Sequence, residues 1–280
     1  MCIGDMQNVF QANVPASKSL SNRWLVLQHL SGGAIQLNNL STADDTRLLQ
    51  TLLSSPTQPT HEVQTFHCDN AGTVARFLTA VLSVSKGSYI VTGSDRMQQR
   101  PIAPLVDALN SMGASITYTD RHGHFPISIV GRPLQGGMVD IDASQSSQFV
   151  SALMLIAPFL PKGLTINIVG SMVSEPYISM TADVLLQAGI AVQYSKNTIH
   201  IPNANPMCGA VGVEADWSSA AYLYNWVLLT GKPLYVAGLS LNSSQGDRVV
   251  ADIYRHMGVD TTYTIDGIVL QRSELCASSF

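Results

Sequence analysis

Apolar residues along this chain recur with the period of a helix and then give way to the alternation of a strand. In RPIAPLVDALNSMGASITY, apolar side chains from Ile102 to Met112 return every three or four positions, which predicts a helix with one apolar face. Gly113 stands where a left-handed residue would end that helix, and the alternation after it predicts a strand. This pattern occurs in three segments, at residues 100–118, 177–194 and 247–263.

A second group of segments interleaves with the first. Each predicts a helix, a glycine turn and a short strand, and the glycines Gly87, Gly163 and Gly231 recur at intervals of roughly 70 residues. SNRWLVLQHLSGGAIQLNNL is an earlier, shortened copy, and a further helix is predicted in DDTRLLQTLL. The longer copies span residues 73–93, 146–170 and 218–238, and the shortened copy and its second helix span 21–40 and 44–53.

Together these patterns predict an α/β fold of four repeats, each a helix, a strand, a second helix, a strand and one more strand. A small sheet with two helices cannot close a core alone, so the repeats must pack against one another. If three repeats close one domain over residues 17–214, the remaining residues, 1–16 and 215–280, contain the fourth repeat and form part of a second, incomplete domain. We therefore expect the chain to be the N-terminal portion of a longer protein.

Composition argues against several classes of function. Charged residues make up 12% of the chain and the net charge is −4, so no basic surface is available for a nucleic acid. The cysteines at positions 2, 68, 208 and 276 form no CxxC pair, which argues against a zinc site or a disulfide framework and favours a cytoplasmic location. No apolar run reaches the roughly 18–20 residues that span a bilayer. We expect neither a nucleic acid nor a membrane as partner.

Candidate chemistry gathers where the predicted helices begin. In PASKSLSNR, Ser19 and Arg23 lie four residues apart on one helical face, and Lys18 immediately precedes them. Free N–H groups and the positive end of the helix dipole would add to these side chains in binding a phosphate or carboxylate. The alternative is an ordinary N-cap serine beside two solvated charges.

Other predicted helix starts repeat this arrangement. Each taken alone is explained equally well by a capped helix or a serine-rich turn, and Arg96 and Arg100 precede a helix start where the dipole does not favour arginine. Equivalent starts in an array of repeats converge on one face, so their recurrence favours a site for an anionic ligand. The candidates are Gly72, Thr73 and Arg76 in DNAGTVAR, Ser146, Ser147 and Gln148 in SQSSQF, and Ser174 and Tyr177 in VSEPYI.

These motifs carry a family resemblance. PASKSLSNR, DNAGTVARFLTA, RMQQRPI, SSQFVSAL, VSEPYISMT, VEADWSSAAY and SSQGD occur in the order of the EPSP synthase (3-phosphoshikimate 1-carboxyvinyltransferase) family, which the chain resembles from residue 14 to about 274. The resemblance implies the enolpyruvyl transferase fold, an inverse α/β barrel in which each domain packs three βαβαββ units about a pseudo-threefold axis. Three units would complete the first domain, and one would begin the second.

The resemblance also implies a reaction. The family moves the enolpyruvyl group of phosphoenolpyruvate to the 5-hydroxyl of shikimate 3-phosphate, through a tetrahedral adduct that loses phosphate. This is a step of the shikimate pathway to the aromatic amino acids, and neither a cofactor nor a metal is expected. Members are usually monomeric, and glyphosate inhibits them by competing with phosphoenolpyruvate.

Site residues follow from the same resemblance. Lys18 is expected to act in catalysis through its charge. Phe77 stands where relatives often have proline or leucine, which bears on helix register and on the response to glyphosate. The resemblance assigns shikimate 3-phosphate to Lys18, Ser19, Arg23, Ser146, Ser147, Gln148, Ser174 and Tyr177; it assigns phosphoenolpyruvate to Lys18, Gly72, Arg100 and Gln148, with Asn70, Thr73 and Arg76 in support.

The sequence departs from the family in one respect. The second domain of the family supplies a general-base aspartate in a PD motif, further ligands in KETDR-like and DHR-like motifs, and a late lysine; none of these motifs occurs here. Because general acid–base catalysis contributes about 10²- to 10⁴-fold, we expect the chain alone to be inactive.

Three alternatives remain open. One is a non-catalytic substrate-binding module, or half of a split protein. Another is a relative that transfers enolpyruvate to UDP-N-acetylglucosamine, but such enzymes usually carry a cysteine in the loop equivalent to SDRMQQRP, which has none. The third is a purely structural repeat protein, and the cationic and hydroxyl residues at equivalent helix starts argue against it.

Overall fold

The computed structural model describes residues 9–55, 62–207 and 209–273. The chain divides into two compact units. The smaller unit comprises Met1–Lys18, Asn39–Thr42 and Gly212–Phe280, and the larger unit comprises Ser19–Asn38 and Ala43–Val211. None of the helices in the described ranges is long and apolar enough to cross a membrane.

Short helices and strands alternate along most of the chain. In chain order the elements are β1 (Phe10–Ala12), α1 (Lys18–Leu30), β2 (Ile35–Asn38), α2 (Asp44–Ser54), β3 (Gln64–His67), α3 (Gly72–Val84), β4 (Gly87–Thr92), α4 (Asp95–Gln98), α5 (Ala103–Ser111), β5 (Ser115–Tyr118), β6 (Ile127–Gly131), β7 (Gly137–Asp142), α6 (Ser147–Ile156), β8 (Leu164–Val169), α7 (Glu175–Gln187), β9 (Gln193–Ser195), β10 (Thr198–Ile201), β11 (Gly209–Gly212), α8 (Trp217–Thr230), β12 (Leu234–Ala237), α9 (Val250–His256), β13 (Val259–Tyr263) and β14 (Gly267–Arg272).

Three four-stranded sheets share one topology. The larger unit contains the sheets β3-β4-β6-β5 and β7-β8-β10-β9, and the smaller unit contains β1-β12-β14-β13. In each sheet the first two strands are parallel and the remaining neighbours are antiparallel. In the larger unit each sheet is one βαβαββ repeat, with a helix before its second strand and another before its antiparallel pair. The predicted α/β fold of repeated units is therefore confirmed.

The order of elements predicted from periodicity was wrong at the start of the two four-stranded repeats in the larger unit. The repeats of the larger unit open with a strand, β3 or β7, and not with a helix. Both are edge strands, and Phe66 is the one buried residue of β3, so that strand has no alternating pattern to detect. In the described residues, the shortened first copy has a two-stranded sheet, in which β2 pairs with β11 from far along the chain.

The helix ends follow the glycine pattern. Gly113, Gly189 and Gly258 all have positive φ, at 95°, 78° and 89°, just after α5, α7 and α9. Glycine adopts this left-handed conformation without a steric penalty, and the turn to the next strand depends on it. These predicted helix ends are confirmed.

Two helices form the centre of the larger unit. In α3 and α6 nearly every residue is buried, including Val74, Leu78, Phe149 and Leu153. A helix that is apolar on all sides is stable only where other elements surround it. Because α3 and α6 are fixed by this packing, the polar residues at their first turns are held in place.

The smaller unit has its own core and its own polar network. Trp217 and Tyr224 of α8 pack with the apolar faces of its sheet. The Glu214 carboxylate accepts hydrogen bonds from Trp217 Nε1 at 3.3 Å, Ser243 Oγ at 2.7 Å and Gln245 Nε2 at 3.0 Å. Buried polar groups are stable only when bonded in this way, and the network fixes the segment that leads into α8.

Candidate functional site

The starts of α6 and α7 enclose a small polar pocket of about 220 Å³. Ser146 caps α6, its Oγ accepting from the backbone N–H of Gln148 at 3.2 Å. Ser174, with φ of 55°, precedes α7 and makes no side-chain cap bond. The lining offers hydroxyl, amide and phenol groups without a charged side chain, and it consists of Gln145, Ser146, Ser147, Gln148, Val173, Ser174 and Tyr177.

Five of the predicted residues therefore come together in one pocket. Ser147 is buried, whereas 40% of Tyr177 is exposed. Neutral donors at a helix start suit a phosphate, because backbone N–H groups and hydroxyls can surround its oxygens.

Arg23 lies enclosed between helices rather than on a surface. It is 2% exposed, and its guanidinium donates to Ser19 O at 2.8 Å and to Tyr177 O at 2.9 Å. Its Cζ lies 5.7 Å from the centre of the Phe77 ring. Burial lowers the pKa of Arg23 to about 10, so it remains charged at neutral pH. Of the structure's described residues, no carboxylate pairs with it.

A second cationic cluster lies at the start of α3. Gly72 is its first residue, and a Cβ there would collide with Nη1 of Arg100. Arg100 is exposed and donates to Asn70 O at 3.4 Å, while the Asn70 side chain accepts from Ser94 Oγ. Glycine at position 72 is thus what allows the guanidinium to lie against the helix start.

Arg76 links this cluster to the polar pocket. Its Nη1 donates to Gln148 Oε1, its Nη2 donates to Pro101 O at 3.2 Å, and its Cζ lies 4.9 Å from the Phe149 ring. Gln148 in turn donates to Thr73 Oγ1 at 2.8 Å. Burial, and then the charge of Arg100, lower the pKa of Arg76 to about 10.

The Arg76 environment favours an anion. Two guanidiniums repel each other, and Arg76 Nε is buried without a partner in the described structure. An anion beside the two guanidiniums would offset their repulsion and the cost of the unpartnered Nε–H.

Lys18 is exposed at the first position of α1 and belongs to the smaller unit. The preceding residue, Ser17, is buried and donates its backbone N–H to Glu214 O at 2.8 Å. The backbone that leads to Lys18 is therefore fixed, and its contact with either substrate stays a prediction.

Two hydroxyl residues near Arg23 were not predicted from the sequence. Thr181 Oγ1 accepts from Arg23 Nε at 2.8 Å, and Ser151 Oγ accepts from Arg23 Nη2 at 3.3 Å. Both are fully buried. A signal was present, because each lies four residues after a predicted site residue, Ser147 or Tyr177, in an otherwise apolar stretch.

Comparison with known proteins gives one family. The sequence model of EPSP synthase (3-phosphoshikimate 1-carboxyvinyltransferase) matches residues 9–278. A 3-phosphoshikimate 1-carboxyvinyltransferase of Bacteroides fragilis is 38% identical over 265 residues, which are 94% of this chain and 63% of that protein. One of Vibrio cholerae is 38% identical over 290 residues, covering 95% of this chain and 68% of that protein. The chain thus spans about two thirds of the length of these relatives.

Solved structures give the same fold. EPSP synthase from Acinetobacter baumannii superposes with a TM-score of 0.75 at 22% identity, over 95% of this chain and 65% of that one. The enolpyruvyl transferase NikO from Streptomyces tendae gives a TM-score of 0.64 at 13% identity, over 96% and 66%. At these identities the likeness establishes the fold alone.

Proposed function

The chain belongs to the EPSP synthase family, and from this premise we propose that it binds shikimate 3-phosphate and phosphoenolpyruvate for enolpyruvyl transfer to the 5-hydroxyl. The proposal rests on two features of the larger unit that are in direct contact. One is the neutral pocket at the starts of α6 and α7, and the other is the pair of guanidiniums at the start of α3. Arg76 and Gln148 join them directly.

Each feature fits one substrate. We assign the phosphate of shikimate 3-phosphate to Ser146, Ser147 and Ser174, whose donors surround the pocket, and the shikimate ring to the exposed ring of Tyr177. Ser19 and Arg23 are assigned to the same substrate from the start of α1.

Phosphoenolpyruvate is assigned to the α3 side of the site. Arg100 is exposed against Gly72, and Gln148 lies between the two substrate positions. Two phosphorylated anions repel each other, and fixed cations and oriented donors offset that repulsion. We assign Lys18 to both substrates on the family resemblance alone. Asn70, Thr73 and Arg76 hold the loop and Gln148 in position.

We further propose how the units correspond to domains. The larger unit would be the substrate-binding domain expected over residues 17–214, and the smaller unit would be part of the second domain. Because PD and KETDR-like motifs do not occur in the 280 residues, we expect this chain alone to bind shikimate 3-phosphate without turnover.

The remaining proposals concern partners and location. We propose small-molecule substrates only, inhibition by glyphosate on the phosphoenolpyruvate side, a monomeric state and a cytoplasmic location. The reduced, buried Cys68 is compatible with that location, and burial raises the pKa of its thiol to about 12.

Calorimetric titration tests the proposed function. Shikimate 3-phosphate should bind the chain, and shikimate, which lacks the phosphate, should bind at least about tenfold more weakly because charge-assisted bonds are lost. Equal affinity for the two compounds, or no binding of either, would contradict the assignment of the pocket to the phosphate.

A further inference from the structure

The buried Arg23 guanidinium is held by neutral oxygens from three helices. Ser19 O belongs to α1, Ser151 Oγ belongs to α6, and Thr181 Oγ1 and Tyr177 O belong to α7. An enclosed cation without an acidic partner is costly, and it persists only if its N–H groups are well satisfied. The neutral oxygens are therefore what keeps this charge in place.

The directions of these hydrogen bonds are fixed by the chemistry of the guanidinium. Arginine has five N–H donors and no acceptor, so the oxygens of Thr181 and Ser151 must accept from it. Thr181 Oγ1 lies 2.8 Å from Tyr177 O and 2.9 Å from Ser151 Oγ, and Ser151 Oγ lies 3.4 Å from Tyr177 O. The Thr181 hydroxyl therefore donates to Tyr177 O or to Ser151 Oγ, and the Ser151 hydroxyl donates to Tyr177 O.

This arrangement leaves one donor of Arg23 available. The four bonds use Nε, one N–H of Nη1 and both of Nη2, so the second N–H of Nη1 has no partner among residues that the structure describes. Nη1 is the nitrogen bonded to Ser19 O, in the first turn of α1. Turning the guanidinium about its long axis would remove this donor from that position.

We propose that Thr181 and Ser151 are positioning residues that hold the plane of the Arg23 guanidinium and the carbonyl of Tyr177, and so set the geometry with which the larger unit receives a phosphorylated ligand. The inference rests on the proposed function for the identity of that ligand. Thr181 and Ser151 would thus act on the ligand only through Arg23 and Tyr177, and not by contacting it themselves.

The chain contains a matched control for this role. Thr79 of α3 is as fully buried as Thr181, and its hydroxyl likewise donates to the carbonyl four residues earlier, Ala75 O at 2.8 Å. Thr181 makes the same bond to Tyr177 O and in addition accepts from Arg23. Thr181→Val and Thr79→Val therefore remove the same local bond, but only the first removes a support of Arg23.

The direct readout is solvent exchange at the Arg23 Nε–H, followed by NMR and assigned by the signal that Arg23→Lys removes. In the wild-type chain this proton should exchange slowly. Thr181→Val should speed its exchange at least about tenfold, since one hydrogen bond to a charged group is lost. Thr79→Val should leave it unchanged, and Thr181→Ser, which restores the hydroxyl, should restore slow exchange. If Thr181→Val does not fold, Ser151→Ala tests the same network through Nη2.

Affinity for shikimate 3-phosphate is the second readout. Thr181→Val should weaken binding about tenfold, whereas Thr79→Val and Thr181→Ser stay close to wild type. Equal behaviour of the two valine variants in exchange and in affinity would overturn the proposal. If wild type does not bind shikimate 3-phosphate at all, the proposed function is wrong, and the exchange measurement still decides whether these hydroxyls hold Arg23.

Discussion

The start of α3 in the larger unit and the start of α8 in the smaller unit differ in what accepts from the free backbone N–H groups of the first turn. At α8 the Asp216 carboxylate caps the helix, accepting from the backbone N–H of Ser219 at 2.9 Å and from its hydroxyl at 2.7 Å. At α3 the residue before the helix is Ala71, no side chain caps the start, and no acidic residue lies in the first turn.

The two starts differ in which charge the protein supplies. The N-terminus of a helix favours a negative charge, and α8 receives one from its own sequence. Instead, α3 has Arg76 and Arg100 beside it, which adds positive charge where the dipole is already positive. Such a start is unfavourable when empty and favourable with an anion bound, which is why we place a substrate there and not at α8.

Removing Arg76 should have the largest effect on ligand binding. Arg76→Met breaks the bonds to Gln148 and Pro101 O and removes a positive charge from the α3 side, so phosphoenolpyruvate affinity should fall about a hundredfold by calorimetry. Thermal stability should not fall, because methionine replaces a buried, poorly compensated cation. The exposed Arg255 of the smaller unit, changed to Met, is the control and should alter neither quantity. A loss of stability that accounts for the lost affinity would contradict the assigned role.

A methyl group at position 72 should separate the two substrates. Gly72→Ala forces Arg100 away from the start of α3, so phosphoenolpyruvate affinity should fall about tenfold while shikimate 3-phosphate affinity changes little. Gly209→Ala serves as control, since a Cβ there meets no atom within 4 Å. An equal loss for both substrates would show that the α3 side is not specific to phosphoenolpyruvate.

The α8 cap should behave in the opposite manner. Asp216→Ala should lower the free energy of unfolding by about 1 kcal/mol, measured by urea denaturation, because the first turn of α8 loses its acceptor. Affinity for shikimate 3-phosphate should stay within a factor of about two. A large loss of affinity with unchanged stability would mean that α8 belongs to the site.

The smallest effect is expected from pH. Folding lowers the pKa of Arg23 and Arg76 from 12.5 to about 10, so both stay protonated below that value and affinity should be nearly constant from pH 7 to about 9. Above pH 10 the affinity should decline as the cations are lost. For stability the sign is reversed: these two groups cost stability when protonated, and that cost diminishes as pH rises from about 10 towards 12.5. Calorimetric titration across this pH range, repeated with Arg76→Met, measures how much of the loss of affinity is due to deprotonation of Arg76.

Local features of the fold could be predicted from the sequence. Helical periodicity and a following glycine are read within a dozen residues, so the ends of α5, α7 and α9 were placed correctly. Strand β1 could not be placed, since it consists of three residues and pairs with β12 more than two hundred residues away. Pairing over such distances leaves no local pattern.

The candidate site shows the same limit. The sequence alone predicted Ser146, Ser147 and Ser174 as site residues, because each lies beside a predicted helix start. It did not predict that Arg23 is enclosed, because charged residues are mostly exposed and three of the four oxygens that accept from it belong to helices more than a hundred residues away. From the sequence, Arg100 had no favourable role, because it was judged against α5, the helix that follows it. In the structure its neighbours are Gly72 and Asn70, at the start of α3.

We place the anions at the helix starts of the larger unit, which are the uncapped, cationic start of α3 and the neutral starts of α6 and α7, and not at the start of α8, which Asp216 caps. Titration of shikimate 3-phosphate into ¹⁵N-labelled protein, followed by NMR, tests this placement. We expect saturable shifts of the amides of Ser147, Gln148 and Tyr177, with the amides of Ser218 and Ser219 unchanged. Shifts of equal size at the start of α8, or none at the starts of α6 and α7, would contradict it.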